Sequence, residues 1–200
     1  MTFLFDIGNV LLNLHFDRFH NAILSAGQTA LPADMFKFKD PYESGKMSDQ
    51  DFITRSLDLL EKTLTEEQFI LAWQNIFSPN KPMWDVVTKL HTDDHRLILF
   101  SNTNALHAES FLRDFEIFSL FHHHHFSHET GANKPDPLFY ENAIRDYDLT
   151  PSETIYLDDL AENIATGIAL GFQCFQYDLT DHEAAEKWLT HQLTNNPSLP

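Results

Sequence analysis

An α/β fold, with a parallel sheet covered by helices on both faces and a small all-helical insertion after the first strand, follows from three observations on the 200-residue sequence. Short apolar or β-branched runs bounded by polar turns recur along the chain. Helical patterns lie between the later runs, and strand–helix alternation favours a parallel sheet with covered faces. One long early segment breaks that alternation and carries helical periodicity throughout.

The predicted strands are Thr2–Phe5, Arg96–Phe100, Thr154–Leu157 and Gln173–Tyr177. A fifth, His123–Ser127, rests on Phe126 and on its place between two helical patterns. Helices are predicted at Ala105–Phe115, Leu138–Tyr147, Leu160–Leu170 and Glu183–Leu193. From His15 to Pro79 no strand is predicted. There Phe69, Ile70, Trp73, Ile76 and Phe77 fall at helical spacing behind Thr65 and Gln68, which suit a capping box. Ser48 with Asp51 offers a similar start for a helix carrying Phe52, Ile53, Leu57 and Leu60. Pro79 and Pro82 bracket Asn80 and Lys81 in an expected linker back to the core. The expected organisation is a core of residues 1–14 and 80–200 with an insertion at 15–79, and Thr194–Pro200 is expected to fray.

Composition narrows the function classes. A chain that is 42% apolar can bury a substantial core. With 13 Lys plus Arg against 30 Asp plus Glu, the formal charge of −17 repels nucleic-acid phosphates and anionic membranes, so neither is an expected partner. The one cysteine, Cys174, cannot form an internal disulfide, and there is no Cys-x-x-Cys for zinc; a reducing, cytoplasmic location is expected. The apolar run Phe3 to Leu14 is interrupted by Asp6 and Asn13 and lacks a basic leader, and no stretch reaches the roughly 18 apolar residues of a membrane span.

Polar constellations follow the carboxyl ends of four predicted strands, where open α/β sheets place their ligands. Asp6 follows the first strand in Phe-Leu-Phe-Asp-Ile-Gly-Asn-Val. Ser101 and Asn102 follow the second in Ser-Asn-Thr-Asn. Lys134 lies in Asn-Lys-Pro-Asp-Pro, and Asp158 and Asp159 end Ile-Tyr-Leu-Asp-Asp. Singly, each has an ordinary reading as a turn former, a helix cap or a solvated charge. Adjacent carboxylates after an apolar strand, however, repel each other unless a cation lies nearby. Mg2+ commonly takes one or two carboxylates and leaves its other positions to water and phosphate oxygens. Asp6 and Asp159 could supply those carboxylates, while Ser101, the Asn102 backbone amide and Lys134 could hold a phosphoryl group. Asp6 could then attack phosphorus to form an aspartyl-phosphate, which splits one hard displacement into two easier ones.

In this order the four motifs, completed by Asn163 in Asp158-Asp-x-x-x-Asn163, resemble those of haloacid dehalogenase-like hydrolases over nearly the whole core. The resemblance implies a Rossmann-like catalytic core, with the insertion as the helical cap of that superfamily's first subclass. It also implies Asp6 as nucleophile, Ser101 and Lys134 as phosphate ligands, and Mg2+ held by Asp6, the Gly8 carbonyl and Asp159. Asp158 would be a second ligand or a partner behind the metal, and Asn163 would support the last loop. The pattern is most similar to the branch containing bacterial alpha-D-glucose-1-phosphate phosphatases. The implied activity is therefore hydrolysis of a small phosphorylated metabolite.

One position departs from the pattern. Most phosphatases of that superfamily carry an acid–base Asp two residues after the nucleophile, and this chain has Gly8. General acid catalysis contributes roughly 10²–10⁴-fold, so its loss weighs most on poor leaving groups. Anomeric and aryl oxygens depart more easily. His15, His20 and Glu43 are conceivable substitute donors. A dehalogenase and a phosphonate-cleaving enzyme remain alternatives, the latter with Lys37, Lys39, Lys46 or Lys62 as Schiff-base amine, as does a weakly catalytic phosphate binder. The His122–His125 run with His128 invites a metal site, but strand alternation divides it between two faces. Cys174 reads as a core thiol. The aromatic stretch from Phe36 to Tyr42 reads either as pocket lining or as packing of the insertion.

Overall fold

The computed structural model describes residues 1–61 and 63–195, so the expectations for Lys62 and for the chain end beyond Asn195 lie outside the described residues. The chain runs β1 (Thr2–Phe5), β2 (Leu12–Leu14), α1 (Phe16–Ser25), α2 (Lys39–Glu43), α3 (Asp49–Leu59), α4 (Glu66–Gln74), β3 (Phe77–Pro79), α5 (Lys81–Thr92), β4 (Arg96–Ser101), α6 (Ala105–Asp114), β5 (His123–Phe126), α7 (Ser127–Thr130), α8 (Pro137–Asp146), β6 (Thr154–Asp158), α9 (Ala161–Ala169), β7 (Gln173–Gln176) and α10 (His182–Asn195).

Five strands form one parallel sheet in the order β5-β4-β1-β6-β7. β1 is central, and its Phe5 lies opposite Leu99 of β4 and Leu157 of β6. Side-chain alternation along β1 sends Phe3 and Phe5 into one apolar cluster and Leu4 into another. The first cluster takes Met83 and Val87 of α5, Phe111 of α6 and Leu189 of α10; the second takes Phe139 and Tyr140 of α8 and Ile164 of α9. Both faces are therefore covered, which is why the central strands read as continuous apolar runs. β1, β4 and β6 all end at the same edge, so the polar residues that follow them emerge together.

The segment between β2 and β3 has its own core, in which Phe19, Ile23, Phe52, Phe69 and Ile76 pack with Leu106 of α6. Its helices start where the sequence places them. The Ser48 hydroxyl accepts a hydrogen bond from the Asp51 amide, and Thr65 and Gln68 form a reciprocal capping box.

Two expectations in this region need correction. Ile76 and Phe77 do not extend α4, which ends at Gln74; Phe77 opens β3, which pairs antiparallel with β2, Leu14 opposite Phe77 and Leu12 opposite Pro79. Pro79 cannot continue a helix, and the backbone groups of β2 require partners once buried, so pairing wins over periodicity. Nor do Asn80 and Lys81 form a linker: α5 begins there, with Pro82 in its first turn, a position that suits a residue without an amide hydrogen. The insertion is thus tied to the sheet by a two-stranded ribbon.

Gly45, between α2 and α3, has φ +67° and lies against α7 so closely that any Cβ would run into the His128 backbone carbonyl. Gly45→Ala is expected to cost at least about 2 kcal/mol, combining a left-handed backbone penalty of about 1–2 kcal/mol with overpacking of about 1–3 kcal/mol. At this chain length that lowers the melting temperature by about 4 °C or more. An unchanged melting curve would show that the insertion yields freely against α7.

Candidate active site

Lys134 is the centre of the site. Its ammonium, almost fully buried, donates to Asp6 Oδ1 (2.8 Å), to Asp158 Oδ2 (2.6 Å) and to the Phe100 carbonyl (2.7 Å). The loop carrying it is clasped by Asn102, whose side-chain amide donates to the Lys134 carbonyl (2.9 Å) and accepts from the Lys134 amide (2.8 Å). Asp158 accepts four hydrogen bonds. Lys134 and Tyr156 donate to one oxygen, and the Leu160 amide and Asn163 donate to the other. Asp6, Ser101, Asn102, Lys134, Asp159 and Asn163 all line one cleft.

The carboxylates of Asp6, Asp158 and Asp159 have oxygens within 4.8 Å of one another, the one such cluster of metal-capable side chains among the described residues. Asp159 is steadied by Asn9, which donates to its Oδ2 at 3.0 Å from a left-handed backbone (φ +52°) that Asn tolerates better than most residues. When ionised, three carboxylates against one ammonium leave two negative charges in excess, which a divalent cation would neutralise. Asn163 Oδ1, on the same cleft, is buried and accepts no hydrogen bond among the described residues. A hydrated hard cation brings donors of the kind it lacks. Oxygen-only ligands and excess negative charge fit Mg2+.

The electrostatics follow from burial. Burial pushes the Asp6 carboxyl up to about 7 despite Lys134, and also raises Asp159. For Asp158 burial acts in the same direction, but Lys134 and its other hydrogen-bond donors prevail and hold it below the usual carboxylate range. Burial works to lower Lys134, and Asp158 and Asp6 overcome it, keeping the ammonium charged. A carboxyl whose pKa is higher folded than unfolded favours folding while protonated. Its contribution is lost as pH climbs from about 4 towards about 7. Metal binding requires the ionised form and releases protons. Mg2+ is therefore expected to raise the melting temperature more at about pH 8 than at about pH 5. An equal shift at both, read by thermal melts, would count against these carboxylates as the ligands.

Above the cluster the cleft opens to about 650 Å³, walled by the insertion. His20 and Glu43 lie on it; His15 does not, its Nε2 hydrogen-bonding Ser78 Oγ at 2.6 Å. Of the candidate amines, Lys39 reaches the cleft, while Lys37 is exposed and pairs with Asp34 at 2.6 Å. The aromatic stretch divides: Phe36 lines the cleft, and Tyr42 is buried, stacked on Phe52 with centroids 4.1 Å apart. The histidine run lies on edge strand β5, where His123 and His125 turn to Tyr147 and His124 turns to Phe126 and Glu129. Cys174 is half-buried on β7, its thiol pushed up to about 12 by burial.

Sequence reasoning passed over Asn9, Tyr156 and His107. His107 is buried on the cleft and stacks on Trp73 at 4.7 Å. Its Nε2 donates to the Trp73 carbonyl (3.0 Å), which leaves Nδ1 to accept from Asn104 (3.1 Å), and burial pulls its pKa down to about 4. It therefore joins insertion to core as a neutral ring. Asn9, next to Gly8 in the first motif, carried a readable signal; His107 and Tyr156 acquire their partners only through the fold.

The profile of the haloacid dehalogenase-like hydrolases matches residues 1–171. A D-ribitol-5-phosphate phosphatase from Bacteroides thetaiotaomicron is 28% identical over 184 residues, 86% of this chain and 89% of that protein. Among solved structures, an HAD family enzyme from the same organism, in complex with magnesium and inorganic phosphate, superposes with a TM-score of 0.79 at 23% identity, covering 89% of this chain and 94% of the other. An HAD-like family hydrolase from Porphyromonas gingivalis superposes with a TM-score of 0.78 at 27% identity over 94% of this chain and 97% of its own.

Proposed function

The chain belongs to the haloacid dehalogenase-like hydrolases, and from that membership and the buried carboxylate–ammonium cluster we infer that it is a Mg2+-dependent phosphatase of small phosphorylated metabolites. The observation that carries the reading is the convergence of Asp6 and Asp158, from two separate strand ends, within hydrogen-bond distance of the Lys134 ammonium. In it, residues 1–14 and 80–200 form the catalytic core and 15–79 the cap.

Asp6 is the nucleophile. Lys134 fixes its Oδ1 at 2.8 Å, while Oδ2 faces Gly8 at the cleft. An Asp6 oxygen attacks phosphorus, the bond from phosphorus to the leaving oxygen breaks, and that oxygen keeps the electron pair and takes a proton from solvent. Water then attacks the aspartyl-phosphate, releasing inorganic phosphate and restoring Asp6. Ser101 and the Asn102 amide hold the nonbridging oxygens, and Lys134, whose three donors go to Asp6, Asp158 and the Phe100 carbonyl, contributes its positive charge beside them. Asp6, the Gly8 carbonyl and Asp159 would hold Mg2+, which supplies charge neutralisation when bound. Asp158, with all four acceptor positions engaged, anchors Lys134 and would stand behind the metal rather than bind it.

Gly8 favours leaving groups that depart without a proton, and among sugar esters a 1-phosphate such as α-D-glucose 1-phosphate is the first candidate. The Bacteroides relative's activity on ribitol 5-phosphate supports the sugar- and polyol-phosphate class more broadly. Phosphate release with Mg2+ from glucose 1-phosphate, glucose 6-phosphate and ribitol 5-phosphate tests the reading, with the 1-phosphate expected to turn over fastest. Equal rates on the two glucose phosphates would remove the argument from Gly8. Stabilisation by phosphate and Mg2+ without any turnover would make the protein a binder.

A further inference from the structure

We propose that the cleft selects an aromatic leaving group, so that within the activated esters the preferred substrate is a phenolic phosphate monoester rather than a bare sugar or polyol phosphate. The proposal rests on the phosphatase reading above for the reacting end of the molecule. Everything else comes from the far end of the cleft.

Large apolar side chains left open to water are informative when they gather in a concavity. Phe16 is 55% exposed, Phe36 68% and Leu160 49%, and all three line this cleft, whereas other exposed residues such as Leu71 and Ile168 lie away from it. Trp73 and Phe77 continue the wall, so its aromatic surface comes from the insertion and from the ribbon that tethers it. Flat rings against flat rings bind through apolar burial and through their quadrupoles. The volume of about 650 Å³ lies within the range of cavities that enclose drug-sized ligands.

Part of the polar lining is already committed. A polyol gives up its hydrogen bonds to water on entering a pocket and needs replacements. At the phosphate end the side chains of Asn9, Asn102 and His107 are already committed to Asp159, Lys134 and the Asn104–Trp73 pair. On the insertion side the polar lining is Asp17, His20, Lys39 and Glu43, and the last two face each other at 4.0 Å. Gly8 adds an independent reason. With no acid beside the nucleophile, a phenolate departs with its electron pair and is protonated afterwards by solvent, whereas an alkoxide does so poorly.

Steady-state kinetics with Mg2+ on 1-naphthyl phosphate, phenyl phosphate, glucose 1-phosphate and ribitol 5-phosphate test the proposal. KM for the naphthyl ester is expected to be at least about tenfold below those of the sugar and polyol esters, equivalent to about 1.4 kcal/mol. Phe16→Ala and Phe36→Ala, at solvent-open positions where truncation spares the fold, are each expected to raise KM for the naphthyl ester several-fold. Inhibition by inorganic phosphate, which touches only the other end, should stay unchanged. A sugar or polyol KM equal to or below the naphthyl value overturns the proposal and leaves the phosphatase reading standing, as does a naphthyl KM indifferent to both truncations. Absence of release from every ester removes the phosphatase reading instead. Even then the proposal is decided by thermal stabilisation: the naphthyl ester is expected to outdo glucose 1-phosphate at equal concentration, and the reverse order sinks it.

Discussion

Asp6→Asn is expected to lower phosphate release by about 10⁴-fold or more while leaving the melting temperature of the Mg2+-free protein unchanged or higher. The two effects come from one atom pair. In the proposed mechanism the carboxylate oxygen forms the bond to phosphorus, and an amide in its place is not a nucleophile. In the folded protein that carboxylate is also costly, since burial and the neighbouring Asp158 push it up to about 7 even against Lys134. A neutral amide of the same shape removes the charge and still offers an oxygen to the Lys134 ammonium, which keeps Asp158 and the Phe100 carbonyl as partners. Site residues that sacrifice stability for activity behave in this way. Substantial residual turnover would remove Asp6 from the mechanism, and a clear fall in Mg2+-free stability would mean that the ion pair outweighs the burial cost.

Gly8→Asp is expected to act in the opposite direction and selectively. A Cβ at position 8 would meet the end of the Leu14 side chain at 3.0 Å and lie 3.8 Å from Asp6 Oδ2. Leu14 can rotate aside, and position 8 is not among the left-handed backbone sites, so the substitution is buildable. The new carboxyl would sit half-buried on the cleft beside the Asp6 carboxylate, a neighbour that raises its pKa and so suits it to donate a proton. Turnover of an alkyl ester such as glucose 6-phosphate should rise by about 10²-fold, the lower end of what general acid catalysis supplies. Aryl esters should change little. Gly8→Asn provides the control, with similar size and no acid. Should Asn reproduce the gain, the effect is one of packing or metal affinity, and the leaving-group argument fails.

Much of this site could be read along the chain because its chemistry sits at strand ends. Asp6, Ser101 and Asp158 each follow or close an apolar run, and a parallel sheet must bring such ends to one edge whatever its helices do. Lys134 was legible for a different reason, as a lysine in a Pro-rich loop at matching position. The same logic failed where local pattern and long-range pairing compete. Phe77 keeps helical spacing with Phe69 and Trp73, yet the backbone of Leu12–Leu14 claims it as a strand partner. His107 and Tyr156 read as ordinary core residues until the fold brings them their partners, Trp73 in one case and the Asp158 carboxylate in the other.

By itself, then, the order of residues determined the sheet, the acidic cluster and the absence of an acid at Gly8, since each depends on the nature of a side chain and its distance from a strand end. The tertiary structure alone decided which carboxylate is saturated and which is open, that Asn102 clasps the Lys134 loop, and that Phe16, Phe36 and Leu160 meet at one cleft. The reason is geometric. Hydrogen-bond saturation and cleft lining are properties of atoms distant in the chain, and no local period encodes where an inserted set of helices leans on the sheet that carries it.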